Sequence, residues 1–236
     1  MVARARPGRS GEVRDVSIPP RGLAGILHIP EGSRAVVVFA HGSGSSRFSP
    51  RNTAVATALN HHALATLLLD LLTFDEEANR ANVFNIELLA DRLLDAVRWL
   101  DHDRTMARFA VGLFGSSTGA AAALMAAARL RSRIGAIVSR GGRPDLAGDA
   151  IDQVNAPTLF VIGGNDFGVI ELNQDAFARL REPKAIEIVP GASHLFSEPG
   201  AIEQVTDHAA RWFARYLTPM APGAGSKAGQ RHAVQR

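Results

Sequence analysis

Ser117 lies in the run Gly115–Ser116–Ser117–Thr118–Gly119, a G-x-S-x-G pattern. A serine hydroxyl is a poor nucleophile at neutral pH. It needs a base to take its proton and an acid to orient that base. Two later residues supply those types: Asp166, in Gly163–Gly164–Asn165–Asp166, and His194, in Pro190–Gly191–Ala192–Ser193–His194. Together they could run nucleophilic acyl transfer, with Ser117 attacking, His194 shuttling the proton and Asp166 fixing the imidazole tautomer.

Each residue also has an ordinary explanation. A Gly/Ser turn can merely join two elements, Gly-Asn-Asp is common turn chemistry, and a loop histidine is usually just solvated. Two things lift these three above that level. Each falls at the carboxyl end of a strand-like apolar run, and they occur in the order serine, acid, histidine. Asp145, in Gly141–Gly142–Arg143–Pro144–Asp145, is a competing acid and ranks below Asp166. Of the other histidines, His28, His61, His62, His102, His208 and His232 lie in a strand, at helix ends, in a helix or in the tail, and His41 opens a glycine-rich loop. No H-E-x-x-H pattern and no cysteine is present, so a thiol nucleophile and a cysteine zinc site are excluded and no metal or other cofactor is expected.

Charge developing on a carbonyl oxygen must be met by N–H groups. Thr118, opening a helix directly after the serine, offers one. The second is assigned to the N–H of Ser43 or a neighbour, in His41–Gly42–Ser43–Gly44–Ser45–Ser46. That glycine-rich loop follows a buried strand and so invites a dinucleotide reading, with Asp70 as the ribose acid. It lacks the third glycine of G-x-G-x-x-G, and Asp70 reads better as a structural residue at a strand end.

These residues need a scaffold. Residues 13–18 and 23–29 read as short strands around Pro19–Pro20–Arg21–Gly22. The continuous apolar run at 35–40 reads as a strand buried on both faces, 65–69 as the next buried strand, and 109–114, 134–138, 158–162 and 186–189 as further strands. Between them, 50–61, 86–100, 118–130, 170–181 and 201–217 read as helices; Leu89, Leu93, Val97 and Leu100 show the spacing. Alternating strands and helices predict an α/β protein with a mostly parallel central sheet, helices on both faces and ligands beyond the strands' carboxyl ends.

Composition agrees with one domain. Of 236 residues 46% are apolar and 21% charged. The net charge of +3 is concentrated in the tails. Residues 1–14 and 219–236 each carry about +3, leaving about −3 between them by side-chain counting. A flexible lead at 1–11, a domain at 12–218 and a disordered tail at 219–236 follow. A basic binding face is not implied, so nucleic acid is not expected as a partner. With no signal-like apolar segment at the start and no spanning stretch, no membrane association is expected. The absence of cysteine fits the cytoplasm, and a monomer or homodimer is expected.

The combination of His41–Gly42–Ser43–Gly44–Ser45–Ser46, Asp70–Leu71–Leu72–Thr73, the Ser117 and Asp166 motifs and Gly191–Ala192–Ser193–His194 resembles the dienelactone hydrolase-like branch of the α/β-hydrolases, over roughly residues 13–217. Ser49–Pro50–Arg51–Asn52 behind the first loop adds to it. The resemblance implies an α/β-hydrolase fold and cleavage of a small-molecule carboxylic ester through an acyl-enzyme. Dienelactone hydrolases use cysteine where this chain has Ser117, which favours a simple esterase. A thioesterase, amidase or acyltransferase would share the triad, and a non-catalytic binder would share the scaffold. The stretch between the strands at 134–138 and 158–162 is about twenty residues, too short for a large lid. An open pocket for short-chain esters follows, with Phe48, Leu72, Phe74, Phe167 and Phe196 as candidate walls. Arg47 is a candidate contact for an acidic substrate group, and Asp75–Glu76–Glu77 a rim.

Overall fold

The computed structural model describes residues 11–217. The expected lead and tail therefore lie outside the described residues, except Gly11, which opens the first strand instead of closing a lead. Strands β1 (Gly11–Ile18) and β2 (Leu23–Pro30) form an antiparallel pair across the turn at 19–22. Then follow β3 (Ala35–Ala40), β4 (Ala65–Leu69), β5 (Ala110–Ser116), β6 (Ile134–Arg140), β7 (Thr158–Gly163) and β8 (Lys184–Val189). The sheet order is β1-β2-β4-β3-β5-β6-β7-β8. β2 meets β4 antiparallel, and every pairing from β4 to β8 is parallel. This is an α/β-hydrolase fold.

Parallel strands need cover on both faces, because their crossovers lay helices there. Every residue of β3, β4, β5 and β7 is accordingly buried. On one face lie α1 (Pro50–His61) and α7 (Ala201–Tyr216). α7 buries Ala201, Val205, Ala209 and Phe213, a stripe of four-residue steps. Full burial of Phe213 alone stabilises by roughly 1.5–3 kcal/mol. The other face carries α4 (Ile86–His102), α5 (Thr118–Leu130), α6 (Phe167–Arg179) and a 3-10 stretch at Pro144–Gln153. α5 is buried almost all round, and its alanines let it lie close under the sheet.

Two single-turn helices, α2 (Phe74–Glu77) and α3 (Arg80–Val83), stand where the sequence reading has only loop. α2 is held by a capping box: the Thr73 hydroxyl accepts the Glu76 N–H, and the Glu76 carboxylate accepts the Thr73 N–H. α6 starts three residues earlier than the apolar spacing suggests, at Phe167, because Asp166 occupies the N-cap position. Between β6 and β7 the chain makes only the 3-10 stretch, so no large lid covers the strand ends. Among the described residues no helix is long and apolar enough to cross a membrane.

Candidate active site

Ser117 stands between the end of β5 and the start of α5 with φ 51° and ψ −122°. This backbone conformation is unfavourable for a residue with a side chain. The glycines on either side make the turn possible. A Cβ on Gly115 would sit 2.4 Å from Ala120 Cα, and one on Gly119 would sit 2.2 Å from the Ala40 carbonyl oxygen. The G-x-S-x-G pattern is therefore a packing requirement of this turn. The Ser117 N–H donates to the Arg140 carbonyl at 3.3 Å, and its carbonyl accepts from Ala120 at 3.1 Å and Arg143 at 3.1 Å. The elbow is thus pinned to β6 and to the loop behind it.

Asp166 and His194 come from adjacent loops after β7 and β8. Three hydrogen bonds zip those loops together: Gly164 N–H to the Val189 carbonyl (2.8 Å), Asn165 N–H to Ala192 (2.9 Å) and Asn165 Nδ2 to Gly191 (2.9 Å). The carboxylate of Asp166 makes no cap bond to its own helix. It lies instead with Oδ2 2.7 Å from His194 Nδ1. Asp145, the competing acid, is taken by Arg143 in a two-pronged contact at 2.8 and 2.7 Å. Ser117 and His194 line one cavity of about 250 Å³ at the carboxyl edge of the sheet.

The loop after β3 closes over the nucleophile. A Cβ on Gly42 would lie 2.9 Å from Ser117 Cβ, so only glycine lets the loop come this near. His41 anchors it. Its Nε2 accepts the Leu71 N–H at 3.1 Å, so Nδ1 carries the proton and donates to the Gly42 carbonyl at 2.9 Å. Burial holds the His41 pKa below its ordinary value, against the opposing pull of the Gly42 carbonyl and of Asp70 and Glu77. The neutral tautomer that the two bonds need is therefore the favoured one. The N–H of Thr118, at the first position of α5, has no acceptor within its helix. The Ser43 N–H donates to Thr118 Oγ1 at 3.0 Å. It is thus next to the elbow but already bonded, which sequence reasoning did not foresee.

The expected substrate contacts divide. Leu72 lines a second pocket, which shares the loop at 42–46 and includes Val83, Leu89 and Thr118. Arg47 is engaged internally: its N–H and guanidinium both donate to Asp70, and the guanidinium lies 4.1 Å over the Phe48 ring. Phe48, Phe74 and Phe167 are exposed and line neither pocket. Phe196 is buried, 5.8 Å from the Arg140 guanidinium, and also lines neither. Position near a strand end does not fix the direction of a side chain. Of the acidic rim, Glu76 turns to its cap and to Arg92 (2.6 Å), while Glu77 reaches the second pocket. Sequence reasoning missed Arg51 and Arg140, which line the cavity in front of Ser117. Arg51 had a signal: it sits in the first turn of α1, where the helix dipole disfavours a cation. Among the described residues no cluster of three His, Asp or Glu side chains could hold a metal ion.

The sequence profile of the dienelactone hydrolase family matches residues 23–221. The crystal structure of a dienelactone hydrolase from Anabaena variabilis is 49% identical and superposes with a TM-score of 0.86, covering 90% of this chain and 100% of that one. Est1E from Butyrivibrio proteoclasticus, 17% identical, shares the fold with a TM-score of 0.73 over 87% of this chain and 98% of its own. Two strains of Mycobacterium tuberculosis carry a protein 53% identical over 220 residues, 93% of this chain, under the name "Putative phosphoribosyl transferase". The chain spans 50% of the length of those curated relatives.

Proposed function

The chain belongs to the dienelactone hydrolase family, and from that premise we propose that it is a serine hydrolase of carboxylic esters, with Ser117, His194 and Asp166 as its catalytic triad. The observation that carries the proposal is a single arrangement. A serine on a strained elbow shares a cavity with a histidine whose far nitrogen lies 2.7 Å from a carboxylate.

In the proposed cycle Ser117 Oγ attacks the ester carbonyl carbon and His194 Nε2 accepts the hydroxyl proton. Asp166 stabilises the imidazolium through Nδ1–H. The Thr118 N–H meets the oxyanion, joined by the Ser43 N–H as it turns from Thr118 Oγ1 to the substrate. The C–O bond breaks, and His194 returns the proton to the leaving alcohol. Water then attacks the acyl-enzyme, giving its proton to His194, and the acid departs as Ser117 regains its hydrogen. The second pocket reaches the elbow at Thr118 and sets Leu72, Val83 and Leu89 beside Asp70 and Glu77. The transferase name of the mycobacterial relatives describes proteins twice as long and adds no step here.

Hydrolysis of 4-nitrophenyl butyrate tests the proposal. Ser117→Ala should lower kcat on the order of 10⁴-fold or more, with the circular dichroism spectrum unchanged. Wild-type turnover in a folded Ser117→Ala protein would overturn it.

A further inference from the structure

His194 sits in the middle of residues 190–200, a stretch with neither helix nor strand between β8 and α7. Such a stretch opens at little cost in free energy unless it is tied down. A base in it can tolerate little drift, because misplacement by about 1 Å can cost on the order of 100-fold in rate.

Upstream of His194, the Gly191 and Ala192 carbonyls are zipped to Asn165, the neighbour of Asp166. Downstream, Phe196 is 2% exposed and packs into the apolar layer that includes Val205 and Phe213 of α7. Burial holds Phe196 at φ 54°, a region that residues with a side chain rarely adopt. Only Ser193, His194 and Leu195 lie between these two anchors. Ser193 is gripped at both of its backbone groups. Its carbonyl accepts the Phe196 N–H at 3.1 Å, and its N–H donates to Glu198 Oε2 at 3.0 Å.

Glu198 is devoted to this loop. The Ser193 hydroxyl and N–H, with the N–H groups of Glu198 and Ser197, draw its carboxyl below the ordinary carboxylate range. Those donors all belong to the loop. An ionised acceptor makes a stronger hydrogen bond than a neutral one. On its other side His194 has little slack. A Cβ on Gly141, just after β6, would lie 3.1 Å from the His194 carbonyl oxygen and 3.6 Å from Nδ1. A shift of Ser193 would therefore be passed on to the imidazole.

We propose that Glu198 is a positioning residue whose carboxylate closes the loop at 193–198 and holds His194 Nδ1 on Asp166. It acts through His194 and touches no substrate. The inference rests on the reading of His194 as the base for Ser117; the hydrogen bonds themselves do not. Ser193 is half-buried, so water can replace the carboxylate and the fold should survive its removal.

Glu198→Ala and Glu198→Gln are compared with wild type in two measurements. The first is hydrolysis of 4-nitrophenyl butyrate. The second is the tautomer of His194, read from long-range proton–nitrogen NMR correlations at a pH where the ring is neutral. The His194 signals are assigned by their loss in His194→Gln. In Glu198→Ala, kcat should fall about 10–100-fold with KM within about twofold. The ring proton, held on Nδ1 in wild type, should be shared with Nε2. Glu198→Gln, whose amide oxygen can still accept the Ser193 N–H, should recover most of both losses. A folded Glu198→Ala protein with wild-type kcat and tautomer would overturn the proposal, even if its unfolding midpoint were lower. So would a Gln variant as impaired as the Ala variant. If wild type cleaves no ester yet the tautomer depends on Glu198, the esterase reading falls and the positioning role stands.

Discussion

The contact between His194 Nδ1 and Asp166 Oδ2 decides which imidazole nitrogen is free to act as base. With the carboxylate accepting from Nδ1–H, the neutral imidazole carries its lone pair on Nε2. Asp166→Asn keeps the shape but offers an amide that can donate to Nδ1, which stabilises the wrong tautomer. We expect kcat to fall about 10⁴-fold at neutral pH with little change in KM; a loss under tenfold would remove Asp166 from the mechanism. His41 supports a different prediction. Its pKa is lowered in the folded state, so the unfolded chain takes up a proton first on acidification. Its contribution to stability is complete above about pH 6.5 and is lost as pH falls through the lowered folded value. The melting temperature should therefore drop less between pH 7 and 5 in His41→Asn than in wild type; equal slopes would contradict this. At this scale the sequence speaks unevenly. Ser117, Asp166 and His194 are legible because backbone periodicity places each at a strand end, where the fold gathers its loops. Arg140 and the phenylalanines are not, because the direction of a side chain depends on packing from other elements. Phe196 and Phe167 follow His194 and Asp166 closely in the chain, yet one is buried and the other faces solvent.

At the scale of elements, the elbow is where local strain and close packing meet. β5, Ser117 and α5 leave no room at Gly119, whose added Cβ would press on the Ala40 carbonyl. Backbone atoms there belong to β3 and cannot rotate away. Gly119→Ala should destabilise by about 3 kcal/mol, at the upper end of overpacking. Gly168, in the first turn of α6, has nothing within 4 Å of its would-be Cβ. Gly168→Ala should be neutral or stabilise by about 0.5–1 kcal/mol. Urea unfolding of both variants checks the contrast, and equal midpoints would refute the packing argument. The same scale shows why the long elements were readable and the short ones were not. β3 is an uninterrupted apolar run, and β4 and β5 carry no charged residue, because all three are covered on both faces. α4 keeps its four-residue stripe because one side meets the sheet. α2 and α3 are single turns with no buried residue, so no periodicity marks them. Only the cap, Thr73 with Glu76, betrays α2, and that is a pattern of two polar residues rather than of burial.

Over the whole molecule, two apolar layers fix one sheet between α1 with α7 and the helices of the other face. The parallel strands then deliver four loops to a single edge: the glycine-rich loop after β3, the elbow after β5, the loop of Asp166 after β7 and the loop of His194 after β8. Alternation in the sequence predicts this architecture because the crossovers between parallel strands lay helices on the sheet. No large lid intervenes, so the cavity before Ser117 is open to reagents. The central claim is that this edge makes Ser117 a nucleophile. It is tested most directly by treating the protein with a fluorophosphonate and mapping the adduct by peptide mass spectrometry. The account predicts one adduct, on Ser117, and none in Ser117→Ala. Labelling of another residue, or none in folded wild-type protein, would contradict it.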